Sequence, residues 1–160
     1  MTVSASLSSA LKTAISGISG IGVVHDRPRY CATWSEYLNL FASVIGGHKI
    51  IRGWMISRDS AAAGTGEFRV TERVHNYVIT GIAGFSDSDA TSQYAAMQSL
   101  ADTIMATLDA EIDLGVAGVE EGGIGPCSLE SYQELMFGSV LAHVFTIAIP
   151  IRVFLPTGTA

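Results

Sequence analysis

Apolar positions along this chain recur with two periods, one near the helical repeat and one of two residues, and the switches between them mark out its elements. Leu7, Leu11, Ala14, Ile15 and Ile18 share one helical face and predict a helix over residues 4–19, capped by Ser4 or Ser6 and stopped at Gly17 and Gly20. Residues 22–30, GVVHDRPRY, lose the period. Pro28 forces Arg27 into an extended conformation, so this segment reads as a connector. Trp34, Tyr37, Leu38 and Phe41 then predict a short helix over residues 34–43, with Thr33 as its N-cap.

After Gly46-Gly47 the pattern becomes that of strands. Residues 48–58 (HKIIRGWMISR) predict a strand, and the small residues 60–66 (SAAAGTG) a flexible loop at a hairpin tip. Residues 68–82 predict a long strand, bent near Arg73. Phe68, Val70, Val74, Val78 and Ile82 lie on one side of it, and Arg69, Thr71, Arg73, His75, Tyr77 and Ile79 on the other. A row of Arg and His beside apolar residues marks a face that is not simple core.

The helical period returns over residues 89–112, where Met97, Leu100, Ala101, Ile104, Leu108 and Ile112 form the buried stripe and Asp87 or Ser88 caps the start. Residues 116–125 are acidic and Gly-rich, a loop or short strand. Two strands close the chain, over residues 128–137 and 140–155. In the second, the odd positions from His143 to Leu155 are nearly all large and apolar, and the even ones small or polar. Pro150 cannot donate to a ladder, which sends the distal half of this strand to an edge or a bulge. Residues 156–160 are expected to be mobile. The sum is an α+β fold: an antiparallel or mixed β-sheet packed by one long amphipathic helix plus a short N-terminal helix. Neither an internal repeat nor a change of composition divides the 160 residues, so a single domain over residues 1–160 is expected.

Composition sharpens this picture. Apolar residues make up 48% and charged residues only 15%, against about 25% charged in an average chain. One small domain has limited interior, so some of this apolar surface is expected to be covered by another subunit; a mildly hydrophobic monomer is the alternative. The net charge of −6 argues against a general nucleic-acid surface. The cations are seven Arg and two Lys, the bias of interfaces. Cys31 and Cys127 match no metal or redox motif, and two free thiols in a reducing compartment are expected, with one disulfide as the alternative. The Ser-rich start has no basic region and no apolar block, so no signal peptide is expected, and no apolar run is long enough to cross a bilayer.

The candidate chemistry is sparse. His25, His48, His75 and His143 have no ligand spacing, and no HExxH is present. His143, on the apolar side of the last strand, reads as a hydrogen-bonded core or interface histidine, with a ligand role as the lesser alternative. In the connector, Arg27, Arg29 and Tyr30 form either a docking loop with fork-shaped donors or a rigid link whose arginines pair with carboxylates such as Glu36. The glycines of residues 115–125 lack a P-loop pattern, and Glu120 and Glu121 would repel phosphate. No catalytic, cofactor-binding or metal-binding residue is assigned. The candidate interface residues are Arg27, Arg29, Tyr30, Arg69, Arg73, His75 and Arg152.

The order of parts resembles the tail terminator (tail completion) proteins of long-tailed bacteriophages over nearly the full chain. The resemblance lies in the short first helix, the GVVHDRPRY connector, the aromatic segment from Trp34 to Phe41, "RVHNYVITGI" (residues 73–82), the acidic-capped helix "DSDATSQYAAMQSLADTIMATL" (residues 87–108) and "ELMFGSVLAHVFTIAIPIRV" (residues 134–153). It implies a non-enzymatic virion protein of the tail or neck, made in the bacterial cytoplasm. Such a protein forms a homo-oligomeric ring, usually a hexamer, caps the tail tube protein and presents a surface to the head–tail connector protein. DNA would only pass through the lumen, with no specific binding, and no cofactor or membrane is implied. The bland segment 60–66 departs from what a docking tip would carry. Two other readings stand beside this one: another neck protein (adaptor or stopper), and a small α+β enzyme or ligand-binding module.

Overall fold

A computed structural model describes residues 2–63, 70–84, 90–120, 122–137 and 140–156. The expected cap at Asp87 or Ser88, the loop positions 64–66, Phe68, Arg69 and the tail beyond Pro156 lie outside the described residues. The chain runs α1 (Val3–Ser16), β1 (Val23–His25), α2 (Trp34–Phe41), β2 (Ala42–Ile45), β3 (His48–Ala63), β4 (Val70–Gly84), α3 (Ala90–Asp109), β5 (Ser128–Phe137) and β6 (Val140–Pro156). The strands form one mixed sheet in the order β1-β3-β4-β6-β5, with β2 also pairing with β3. β1 runs parallel to β3, and the pairs β2–β3, β3–β4, β4–β6 and β5–β6 are antiparallel. The protein is thus α+β, as its pattern predicts.

The first and third helices differ from expectation at their ends. The cap of α1 is Thr2, whose hydroxyl accepts the Ala5 N–H, and not Ser4 or Ser6. α3 stops at Asp109, so Ile112 leaves the buried stripe and is 59% exposed. Two strands come from segments expected to be otherwise. β1 lies in the connector, where Gly22 (φ +87°) lies so close to the Arg52 carbonyl that no Cβ would fit. β2 lies in what was expected to be the end of the second helix, and turns into β3 through Gly46 and Gly47, both at positive φ, the chemistry of a two-residue hairpin. β3 also continues through Ser60–Ala63, positions expected to be loop.

One side of the sheet carries the main core. Leu7, Leu11 and Ile15 of α1 and Met97, Ala101, Ile104 and Leu108 of α3 pack on Trp54, Ile56, Tyr77, Ile79 and the odd positions 145–153 of β6, all buried. Hydrogen bonds fix this layer: Trp54 Nε1 donates to the Ile21 carbonyl at 2.9 Å, and the Tyr77 hydroxyl to the Ser4 carbonyl at 2.9 Å. The burial of β4 is the reverse of the simple reading. Its Arg- and His-bearing side, with His75, Tyr77 and Ile79, faces the helices, and Val74 and Val78 on the other side are only half-buried. The irregularity expected near Arg73 falls on the partner strand: β4 keeps unbroken register with β6, and β3 bulges between Arg58 and Ser60.

Among the described residues, the opposite side of the sheet carries a helix at one end. There α2 sets Tyr37 and Phe41 on Ile82, Ala142 and Val144. Its start is fixed by a capping box: Thr33 accepts the Glu36 N–H, and Glu36 accepts the N–H groups of Ala32 (2.9 Å) and Thr33 (3.2 Å). The distal half of β6 is an edge, as Pro150 requires. β5 pairs with β6 only as far as Ala148, and Gly118 and residues 123–125 lie along the remainder. Gly125 N–H donates to the Pro150 carbonyl at 2.8 Å, and the N–H groups of Arg152 and Phe154 donate to Gly123 and Gly118 at 2.7 Å each. The missing Pro150 donor therefore faces a loop and breaks no ladder.

Candidate functional site

The candidate residues do not converge on one point; they divide among a loop, a helix-covered corner of the sheet and its open face. In the connector, Tyr30 is 91% exposed and Arg27 is exposed. Arg29 is half-buried, with its backbone N–H on the Met55 sulfur at 3.3 Å. The loop is pinned by His25, whose Nε2 lies 2.8 Å from the Leu40 carbonyl and whose ring meets Phe41 edge-on. The alternative of a rigid link whose arginines pair with Glu36 finds no ion pair among the described residues; backbone N–H groups of Ala32 and Thr33 occupy that carboxylate and lower its pKa.

Arg73 and His75 come together in the helix-side corner of β3 and β4. His75 faces Ala61 of β3 and Ile151 of β6, and Arg73 faces Ala63. Arg58, which sequence reasoning did not select, pairs with Tyr77 and so lies on the same side. His75 is only 5% exposed, and among the described residues neither ring nitrogen has a hydrogen-bond partner. Burial, and then the positive charges of Arg58 and Arg73, push its pKa below the usual imidazole value. Arg58 and Arg73 are exposed and form no ion pair among the described residues. Arg152 lies on the opposite side, 3.8 Å from Glu72. Arg69 lies outside the described residues.

Two further polar side chains, His143 and Arg52, are buried on the helix side. His143 is hydrogen-bonded core, as expected: its Nδ1 lies 2.7 Å from the Tyr132 hydroxyl, which donates to Glu134 at 2.8 Å, under the ring of Tyr94. Arg52, missed by sequence reasoning, is 7% exposed on the helix side. It donates to the Gly20 carbonyl at 3.0 Å and to Gln93 Oε1 at 3.1 Å, tying the turn after α1 to the first part of α3, and burial lowers its pKa. Its position two residues before Trp54 in an alternating strand was the available signal.

What remains is surface suited to association. Among the described residues β5 pairs only with β6, and its outer edge carries Leu129, Leu135 and Met136, respectively 42%, 41% and 62% exposed. β3 is flanked by β2 over residues 48–51 and by β1 over residues 53–55, and from Ile56 onward its outer edge has no neighbour among the described residues. Between these edges, the face that carries α2 at one end presents Val74, Val78, Thr80, Thr146 and Ala148 beyond that helix, all half-buried. A shallow groove of 490 Å³ crosses it, flanked by Asp59 and Glu130. Among the described residues, no three His, Cys, Asp or Glu side chains could hold a metal ion together, and no helix is long and apolar enough to cross a membrane.

A scan against protein-family models finds no match, and a search of curated proteins finds none either.

Proposed function

We propose that this protein is a structural assembly protein that docks onto copies of itself as a ring, and that the ring is a phage tail terminator. The ring ends polymerisation of a tail tube protein and offers its other surface to a head–tail connector protein. DNA passes through the lumen without specific contacts. The observation that carries the reading is the pair of sheet edges, on β5 and on the far half of β3, that have no partner among the described residues and lie at opposite sides of the same sheet. Exposed strand edges are templates for pairing, and monomeric proteins ordinarily blunt or cover them. Here the β5 edge bears large apolar side chains, and the β3 edge ends in an uncharged Ser-Ala-Ala-Ala run. Two different complementary edges make head-to-tail contacts, the kind that close on rotation into rings.

The resemblance in sequence order supplies the tail-specific part of the reading, and the acidic composition suits a channel through which DNA slips. The test is an assembly assay. Purified protein added to polymerising tail tube protein of the same phage is expected to cap the tubes and fix their length. Tubes that keep growing while the protein binds instead to the head portal would point to an adaptor or stopper and contradict the terminator assignment.

A further inference from the structure

We propose that the outer edge of β5 in one copy adds antiparallel to the free end of β3 in the next, setting the Glu134 carboxylate against Arg58 and the basic corner around His75. This inference rests on the self-docking reading above and specifies its interface.

Three observations support it. The first is direction. Across β3-β4-β6-β5 the strands alternate, so β5 runs opposite to β3. A copy placed beside β5 by rotation presents its own β3 antiparallel to it, with the helix-covered sides continuous. No strand need be reversed.

The second is charge and side. Glu134 shares the helix side of β5 with Tyr132, and it is exposed. Arg58, Arg73 and His75 share the helix side of β3 and β4, with both arginines unpaired among the described residues. With Glu134 opposite Arg58, the bulge at Asp59 brings Tyr132 opposite Ala61, so helix-side residues stay matched on both strands. The small side chains at Ala61–Ala63 leave room for the larger ones of β5. A β5–β5 pairing would instead gather Glu130 and Glu134 from both copies, and like charges facing across strands destabilise.

The third is stagger. Within one copy, Glu134 is level with Arg52, through His143 and Ala83. β1 closes the β3 edge as far as Met55, so the neighbour must slide along to Arg58, six residues further, with Met136 beside Ile56 ending the pairing. At about 3.3 Å per residue that is ~20 Å, over four strand spacings of about 4.8 Å each. The resulting tilt is about 45°, at the upper end of the ~35–45° found in closed barrels. A constant offset of this size favours closure over a flat filament.

The experiment reverses charges and reads the mass of the protein by light scattering over a dilution series, with circular dichroism as the check on folding. Glu134→Arg and Arg58→Glu are each expected to raise the concentration of half-assembly by about tenfold or more, since apposed like charges at an interface are strongly unfavourable. The double variant is expected to recover most of the loss. If wild type assembles and neither reversal changes the midpoint, or the double variant shows no recovery, this pairing is wrong while self-docking stands. If wild type is monomeric at every concentration, self-docking fails with it.

Discussion

The Tyr132 hydroxyl and Nδ1 of His143 lie 2.7 Å apart across the β5–β6 pair, and this contact fixes the proton positions of a short chain ending on Glu134. The single hydroxyl proton of Tyr132 goes to Glu134, which leaves His143 as donor through its Nδ1–H. Tyr132→Phe removes both bonds and takes a partner from a histidine only 2% exposed. A loss of about 1–3 kcal/mol in unfolding free energy is expected, measured by urea denaturation. An unchanged midpoint would mean that the chain contributes nothing to stability.

The same tyrosine shapes the alkaline limb. Burial pushes Tyr37, Cys127 and Tyr132 each up to about 12, with Glu134 adding to the effect on Tyr132 and Asp109 to that on Cys127. A folded-state pKa above the unfolded one gives stability that is complete below the unfolded value and is lost as pH rises through the folded value. Unfolding free energy is therefore expected to fall from about pH 9, where an unfolded Cys ionises, toward pH 12. Denaturation curves across that range, with tyrosinate absorbance followed in parallel, check this; tyrosines that all ionise near pH 10 without unfolding would contradict it.

His75 acts on the acid limb with the opposite sign. Its folded pKa is depressed, so its contribution is present above about pH 6.5 and is lost as pH falls toward the folded value. His75→Leu is expected to keep stability at pH 7 and to flatten the loss between pH 6.5 and the carboxylate range. An acid limb as steep as that of the wild type would show that this imidazole is not protonated at a cost.

Gly81 sits beneath Trp54, the largest fully buried side chain, with the indole filling the place a Cβ would take. Gly81→Val is expected to force the ring out of the core and to cost about 1–3 kcal/mol or more, read as a lowered melting temperature. Replacement at Gly17, which has open space around it, is expected to leave stability nearly unchanged and serves as the control.

Much of the fold was legible because burial on one side of an element leaves a period. Leu7, Leu11 and Ile15 announced α1, Met97 to Leu108 announced α3, and the odd positions of β6 announced that strand. Pro150 even fixed where β6 must become an edge. Short elements were not legible. The three residues of β1 are too few to show alternation, and they are a strand only because β3 lies beside them. β2 was hidden by the apolar run that begins in α2, although Gly46-Gly47 signalled its hairpin. The sequence offers the interface candidates as one undivided set, whereas pairing distributes them: His75 goes to the core side, Arg152 to the other face, and Arg29 against Met55. Arg58 and Glu134, two strands apart in any linear reading, gain meaning only when the two edges of the sheet are seen together.

The central claim is that copies of this chain cover one another's edges. Electron microscopy of the purified protein at high concentration, with particle mass from light scattering on the same sample, tests it most directly. Closed rings of one size, with a mass that is a fixed multiple of the 16.8 kDa chain, are the predicted result. Isolated single copies, unchanged up to the solubility limit, would contradict it.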